Sequence, residues 1–302
     1  MFCKELGDTG VQIPEIGIGT WKYHAGREPL RNGLDAGALF IDTAESYGTE
    51  PVVAEAIADS RDCVFLATKV SPNHFRRADL LKAADDSLRR LRCDHIDLYQ
   101  LHEPNDTIPL EETLGAMEDL VDAGKVRFIG VSNFSLDQLQ KAQRTMCKHR
   151  IVANQVRYNI IDRTICDDLL PYCQANDVTI IAYTPLARGM HHVKDCDPRS
   201  VLETVAGAVG RTQAQVVLNW CLCRENVVVI PKGNSTAHVL ENCGASDWRL
   251  SAEQILALDE GIAFRRRRRF ETVLRRQTPP SVKRILKQLV HFAPRAIRRR
   301  IN

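Results

Sequence analysis

The sequence predicts a (β/α)8, or TIM, barrel followed by a short basic extension. Three observations support this: a length of 302 residues, eight apolar runs that alternate with helical patterns, and a sharp change of charge near the carboxyl end. The runs are rich in β-branched residues and almost continuously apolar, which is typical of parallel strands buried on both faces. Eight strand–helix units in about 260 residues match one barrel domain. The predicted strands cover 15–20, 38–42, 63–70, 95–101, 126–132, 151–156, 178–183 and 227–231.

The segment before the first strand predicts a hairpin. Residues 2–17 alternate weakly around an Asp-Thr-Gly turn, which indicates two short strands that cap the barrel floor. The main alternative to a barrel is a doubly wound open sheet, which usually carries a glycine-rich phosphate turn after its first strand. Residues 17–21 read Gly-Ile-Gly-Thr-Trp and do not follow that glycine pattern, so the barrel is preferred.

Helical patterns separate the predicted strands. Residues 78–92 repeat apolar side chains at a spacing of three to four, with charged side chains on the opposite face. Residues 110–125 show a similar pattern that reaches Gly124, a residue type that commonly ends helices. These segments therefore predict the helices that follow two of the strands.

Composition favours a reduced, cytoplasmic protein. The chain is 44% hydrophobic and 26% charged, which is ordinary for a globular protein. No apolar run approaches the ~18 residues of a membrane span, and the first ten residues lack the apolar core of a signal peptide. Ten cysteines are present, but no Cys-x-x-Cys motif occurs, so neither disulfides nor a metal site is expected.

The charge of the chain is unevenly distributed. Residues 264–302 carry twelve arginines, two lysines and one glutamate, or +13, which leaves about −10 for residues 1–263. We therefore expect a barrel domain at 1–263 and a basic extension, helical or disordered, at 264–302. One hypothesis is that residues 281–301 form an amphipathic helix at an anionic membrane surface. A solvated tail or a helix packed on the acidic barrel is favoured over it, and nucleic acid is disfavoured because no aromatic platform accompanies the arginines.

Four side chains with acid–base chemistry lie where predicted strands end. Catalytic groups of a barrel gather at the carboxyl ends of its strands. A tyrosine there could donate a proton to a carbonyl oxygen, and a nearby ammonium would lower the tyrosine pKa. A carboxylate would keep that ammonium charged, while an imidazole could orient the carbonyl. The candidates are Asp42, Tyr47, Lys69 and His102.

Motifs along the barrel resemble those of the aldo-keto reductases. They are GIGTW, FIDTAESYG, LATKV, DLYQLH, GKVRFIGVSNF, NQVRYN, IIAYTPLARG and IPKGNSTAHVLEN, spread over residues 4–263. The resemblance implies reduction of an aldehyde or ketone to an alcohol, with hydride from NADPH. It also implies Tyr47 as the proton donor, Lys69 and Asp42 as its tuning pair, and His102 as the carbonyl-orienting group.

The resemblance also implies a cofactor site after strands five to eight. Ser132, Asn133 and Gln155 would bind the carboxamide, and Tyr183 would stack on the nicotinamide ring. The pyrophosphate would lie along 184–189, including Thr184 and Leu186, and Thr20 would lie near the ribose. The implied adenosine contacts are Lys232, Gly233, Asn234, His238, Glu241 and Asn242.

This sequence departs from the family pattern at three points. The family commonly has Ser or Thr where Gly233 stands and Arg where His238 stands, and an arginine fork binds a 2′-phosphate better than an imidazole does. We still expect NADPH because Lys232 is present, with NADH as a second option. Glu103 replaces a frequent aromatic residue, and the basic extension replaces the loop that usually closes over substrate.

Alternative interpretations remain for several residues. Trp21 either lines the substrate pocket or fills the core, and the pocket is favoured because Trp21 follows the first strand. Taken singly, Asp42 could be a turn cap and Lys69 a surface lysine. His191 and His192 lack a third ligand at metal-site spacing. A different class of function, a non-catalytic nucleotide-binding or redox-sensing barrel that acts through partners, stays as the alternative to an enzyme.

Overall fold

The computed structural model describes residues 1–264. In this part of the chain, eight parallel strands form one sheet in sequential order, which confirms the predicted barrel. A separate antiparallel pair, β1 and β2, precedes it. The bounds are β1 Cys3–Glu5, β2 Gln12–Pro14, β3 Ile18–Gly19, β4 Phe40–Asp42, β5 Phe65–Val70, β6 Ile96–Leu101, β7 Val126–Ser132, β8 Ile151–Arg157, β9 Thr179–Tyr183 and β10 Val227–Val229.

The sheet closes between its first and last strands. Ile16 bridges to Val229 in a parallel sense, and the Gly17 amide donates to the Val229 carbonyl at 2.8 Å. A side chain at Gly19 would place its Cβ 2.6 Å from the Ile230 carbonyl oxygen. Glycine at this position therefore lets the closing strands approach each other.

Helices follow the barrel strands, as the alternating pattern predicted. The predicted helices at 78–92 and 110–125 correspond to α3 and α4, and α4 ends just before Gly124. The bounds are α1 Arg27–Asp35, α2 Glu50–Ile57, α3 Arg77–Leu91, α4 Leu110–Asp122, α5 Leu136–Thr145, α6 Leu169–Ala175, α7 Met190–Lys194, α8 Val201–Val209, α9 Gln213–Leu222, α10 Thr236–Cys243 and α11 Ala252–Gly261.

The hairpin closes the floor of the barrel. Leu6 and Ile13 are fully buried and belong to an apolar cluster that also contains Phe40 and Phe65. The rings of Phe40 and Phe65 pack edge to face, with centroids 5.5 Å apart. The larger apolar cluster lies between the sheet and the helices. The smaller cluster fills the barrel interior at the hairpin end, so the polar side chains of the interior lie at the opposite end, where the strands have their carboxyl ends.

The cysteines do not form disulfides within residues 1–264, which contain all ten of them. Cys173 and Cys221 are buried. Cys63 is exposed because β5 begins only at Phe65, whereas the predicted strand began at residue 63, and a short turn precedes β5. The expected extension at 264–302 and the membrane hypothesis for 281–301 lie outside the described residues, apart from Phe264. No helix of the described part is both long and apolar enough to cross a membrane.

Candidate active site

A cavity lies at the carboxyl ends of the barrel strands. It measures about 740 Å³, within the size range of cofactor and small-molecule sites. Most of the predicted site residues line it, namely Trp21, Asp42, Tyr47, His102, Ser132, Asn133, Gln155, Tyr183, Thr184, Leu186, Lys232, His238, Glu241 and Asn242. Four other predicted residues, Thr20, Lys69, Gly233 and Asn234, lie beside the cavity or beneath it and do not form its wall.

A buried ion pair forms the base of the site. The Lys69 ammonium lies 2.7 Å from Asp42 Oδ2 and donates to the Thr43 carbonyl at 2.8 Å. Lys69 is completely buried, so neither a surface lysine nor a simple turn cap describes this pair. Burial lowers the pKa of Lys69, and the adjacent Asp42 carboxylate opposes that change.

Asp42 receives further hydrogen bonds from two glutamines. Gln155 Nε2 donates to Asp42 Oδ1 at 2.7 Å, and Gln100 Nε2 does so at 3.4 Å. The carboxylate is therefore held by side chains from β5, β6 and β8. A buried charge with this many partners keeps its position.

Tyr47 and His102 meet above the ion pair. A short turn, Glu45–Tyr47, follows β4 and ends at Gly48 with φ +70. The Tyr47 hydroxyl lies 3.4 Å from His102 Nε2, with the two rings edge to face. Lys69 Nζ lies 5.0 Å from the centre of the Tyr47 ring. A phenol, an imidazole and an ammonium thus share one end of the cavity.

The electrostatics differ from the sequence prediction at Tyr47. The net pKa shift of Tyr47 is opposite to the predicted one: burial and then the Asp42 charge raise the pKa well above its ordinary value, which outweighs any lowering by the Lys69 ammonium. Asp42 also offsets the charge of Lys69. Burial, with a smaller contribution from Lys69, lowers the pKa of His102 to about 4. Near neutral pH the phenol is therefore protonated and the imidazole is neutral.

The next strands bring amides and hydroxyls to the same cavity. Tyr183 donates from its hydroxyl to Asn133 Oδ1 at 2.8 Å, and Asn133 Nδ2 donates to Ser132 Oγ at 3.0 Å. Asn133 Nδ2 also donates to the His102 carbonyl at 3.2 Å. This network joins the ends of β6, β7 and β9, and it places the Tyr183 ring at the cavity wall.

The loop after β9 has an unusual backbone. Thr184, Ala187 and Arg188 have φ of 50, 54 and 66, a left-handed region that residues with a side chain rarely adopt. Thr184 Oγ1 is also buried without a hydrogen-bond partner among residues 1–264. Strain and an orphaned hydroxyl at one cavity wall are typical of a ligand-binding segment.

The loop after β10 supplies the polar end of the cavity. Lys232 and His238 are exposed and line it, and Ser235 caps α10 by accepting from the His238 amide. A Cβ at Gly233 would lie 2.6 Å from Val239 Cγ2, so glycine allows the loop to pack against α10. Asn234 Oδ1 accepts a hydrogen bond from the His24 amide at 3.3 Å.

Thr20 and Trp21 are adjacent in sequence and differ in position. Thr20 is fully buried, and its hydroxyl donates to the Asp42 carbonyl and contacts Thr49 Oγ1. Trp21 is 40% exposed and lines the cavity, so it does not fill the core.

Some cavity residues were not predicted from the sequence. Lys22, Met190 and Ala214 also line it, and Gln100 supports Asp42 from within β6. Gln100 and Asp97 are buried polar residues within β6, and their contrast with the apolar residues around them was a usable signal. Ala214 lies on α9 and had no such signal. Within residues 1–264, no group of three or more His, Cys, Asp or Glu could hold a metal ion.

The fold and the site together define a barrel with a deep cofactor-sized cavity and an acid–base cluster. Comparison with known proteins then assigns the family. The Aldo/keto reductase family model matches residues 15–263, and the chain belongs to that family.

Characterised relatives span nearly the same length. Methylglyoxal reductase YeaE of Escherichia coli (strain K12) is 36% identical over 262 residues, covering 83% of this chain and 91% of that protein. An aldo/keto reductase from Klebsiella pneumoniae, solved with NADP and acetate, is 39% identical with a TM-score of 0.82, covering 88% of this chain and 97% of that chain. A thermostable aldo-keto reductase solved with epalrestat is 42% identical with a TM-score of 0.80, covering 86% and 99%.

Proposed function

We propose that this protein is an NADPH-dependent carbonyl reductase in which Tyr47 donates the proton to the carbonyl oxygen. The observation that carries the proposal is the contact of Tyr47 with His102 directly above the buried Lys69–Asp42 pair. Membership of the aldo/keto reductase family supports the reaction class, and relatives solved with NADP or NADPH support the cofactor.

The residues divide the acid–base work among them. Tyr47 is protonated near neutral pH, since a phenol has an ordinary pKa of 10.0 and burial raises it further, and a proton donor must be in this form. After the phenol gives up its proton, the Lys69 ammonium 5.0 Å from the ring stabilises the negative charge. His102 is neutral near pH 7 because its pKa is about 4. Its Nε2 lies beside the Tyr47 hydroxyl, so a carbonyl oxygen bound there can be oriented by hydrogen bonds to both side chains.

The other half of the cavity fits a dinucleotide. The orphaned Thr184 hydroxyl, the amide and hydroxyl groups of Ser132, Asn133 and Gln155, and the exposed Lys232 provide donors along one wall. Tyr183, held by Asn133, offers an aromatic face. When bound, NADPH supplies the hydride, and the substrates of the forward reaction are aldehydes or ketones. We place the reaction in the cytoplasm and the catalytic residues in the domain at 1–263.

The proposal is tested with Tyr47→Phe. NADPH oxidation with 4-nitrobenzaldehyde should fall by about 100- to 10,000-fold, the range that a positioned proton donor contributes, while NADPH binding measured by fluorescence stays unchanged. Tyr172→Phe is a matched control, because the Tyr172 hydroxyl bonds Gln143 on α5, away from the cavity. A wild-type rate no higher than that of Tyr47→Phe would reject Tyr47 as the donor.

A further inference from the structure

An exposed tryptophan at the mouth of the cavity is flanked by two cations. Lys22 Nζ lies 4.6 Å from the centre of the Trp21 ring, and Arg188 Cζ lies 5.3 Å from it. A cation over an aromatic face is attracted by the ring quadrupole. Trp21, Lys22 and Arg188 all line the cavity that contains Tyr47 and His102, so Trp21 holds both positive groups at the wall of that cavity.

Neither of these cations is neutralised. Within residues 1–264, Lys22 and Arg188 form none of the ion pairs that the other surface cations commonly make. Two carboxylates line the cavity, and Asp42 is already held by Lys69. The second, Glu241, lies on α10, the helix that also carries His238. The mouth beside Trp21 therefore has an excess of positive charge.

A second arginine adds to this charge. Arg157 ends β8, its only carboxylate partner in the described chain is Asp162 at a long 3.9 Å, and its Nε is buried without a hydrogen-bond partner. Burial, followed by repulsion from Arg157, lowers the pKa of Arg188. The left-handed backbone at Ala187 and Arg188 thus holds a guanidinium near a like charge, which costs free energy unless an anion binds there.

We propose that Arg188, stacked on Trp21, binds an anionic group of the carbonyl substrate, so that the natural substrates are carbonyl compounds bearing a carboxylate or a phosphate. This rests on the proposed carbonyl reductase function. A guanidinium presents a planar fork that pairs with two oxygens of either anion. Lys22 contributes to the local charge, but its carbonyl lies 3.5 Å from Lys232 Nζ, so it also adjoins the predicted adenosine end. Arg188 is therefore the residue to test.

Two aldehydes of similar size and reactivity provide the test. 4-Carboxybenzaldehyde carries the anion, and 4-nitrobenzaldehyde is its neutral counterpart. Arg188→Met should lower kcat/KM for 4-carboxybenzaldehyde about tenfold, mostly through KM, because a hydrogen-bonded charge pair is lost. Any effect of Arg188→Met on the cofactor is common to both aldehydes, so the ratio of kcat/KM for 4-carboxybenzaldehyde to that for 4-nitrobenzaldehyde should fall about tenfold. Arg188→Lys should fall between the wild type and Arg188→Met because it keeps the charge without the fork.

Controls separate the anion from other effects. Arg199→Met removes an exposed arginine of the same connection whose guanidinium contacts the Glu260 carbonyl, and it should leave both aldehydes unaffected. Glyceraldehyde 3-phosphate against glyceraldehyde then distinguishes a phosphate preference from a carboxylate preference. Thermal unfolding of each variant verifies that Arg188→Met is folded.

Three results would overturn the inference. Equal losses of kcat/KM with both benzaldehydes would show that Arg188 does not recognise the carboxylate. A higher KM for NADPH with both substrates would assign Arg188 to the cofactor instead. No loss with either anionic substrate would remove its role in binding. In each case the wild type still reduces 4-nitrobenzaldehyde, whereas a wild type inactive on every aldehyde would refute the proposed function itself.

Discussion

The two halves of the cavity are built differently. The catalytic half, Asp42, Tyr47, Lys69 and His102, lies on β4 to β6 and is largely buried, and its charges are paired. The cofactor half, formed by 132–133, 183–187 and 232–242 after β7, β9 and β10, has left-handed residues, an orphaned hydroxyl and exposed cations.

The two halves differ in whether the protein satisfies their polar groups before a ligand binds. In the catalytic half, the protein itself satisfies the polar groups, so the acid–base geometry exists before any ligand binds. In the cofactor half, the Thr184 hydroxyl lacks a protein partner and the backbone of the loop after β9 is strained, so ligand binding can relieve both. Substitutions should therefore affect stability in the first half and ligand binding in the second.

The largest expected effect is at Lys69. Lys69→Met leaves Asp42 buried without its cation, and we expect the free energy of unfolding in urea to fall by about 3–5 kcal/mol. The double variant Asp42→Asn/Lys69→Met removes the stranded charge and should recover most of that loss. Lys232→Met, in the cofactor half, should change stability by less than about 0.5 kcal/mol because Lys232 is exposed. A loss below about 1 kcal/mol at Lys69 would mean that the pair behaves like a surface ion pair.

A smaller effect is expected from the pH dependence of His102. Its pKa is about 4 in the folded protein against an ordinary 6.5, so between pH 6.5 and 4 the unfolded chain binds a proton that the folded chain does not. Stability is therefore lost as the pH falls through this window. His102→Gln lacks this proton, and its stability should decline less by about 1–3 kcal/mol between pH 7 and pH 4. Parallel stability curves for the two proteins would contradict the lowered pKa.

A substitution at His238, in the cofactor half, should change the preference between NADPH and NADH. His238→Arg provides a guanidinium fork at the cavity end where the family commonly has one, and we expect the preference for NADPH over NADH to rise about tenfold. Ratios of kcat/KM for the two cofactors measure this effect, with Lys232→Met expected to lower the same ratio. An unchanged ratio in both variants would place the 2′-phosphate elsewhere.

The smallest effect is expected at Thr184. Thr184→Gly removes a strained β-branched residue and its orphaned hydroxyl, and the NADPH-free protein should gain about 1 kcal/mol in stability. The same variant should bind NADPH several-fold more weakly, because the hydroxyl is no longer available to the ligand. Thermal unfolding with and without NADPH measures both quantities. A stability loss in the NADPH-free protein would show that the loop is not strained at this residue.

Much of the barrel could be predicted from the sequence because strands buried on both faces leave continuous apolar runs. Each of the eight predicted runs overlaps a strand, from Ile18–Gly19 to Val227–Val229. Among the helices of the described part, bounds were predicted only for α3 and α4, and the three helices between β9 and β10, α7 to α9, had no counterpart in the simple strand–helix alternation. Gln100 was missed as a partner of Asp42 because its strand pattern says nothing about which polar side chain it faces.

The order of residues along the chain was enough to indicate the fold, the family resemblance and four strand-end groups, since strand periodicity and motif spacing are local properties. The three-dimensional packing settled the remaining points. It buried Thr20 beneath the wall, exposed Trp21 at the mouth and raised the pKa of Tyr47, contrary to the expected direction. Burial and charge pairing depend on segments distant in sequence, such as β4 and β8, whose contacts form only when the barrel closes.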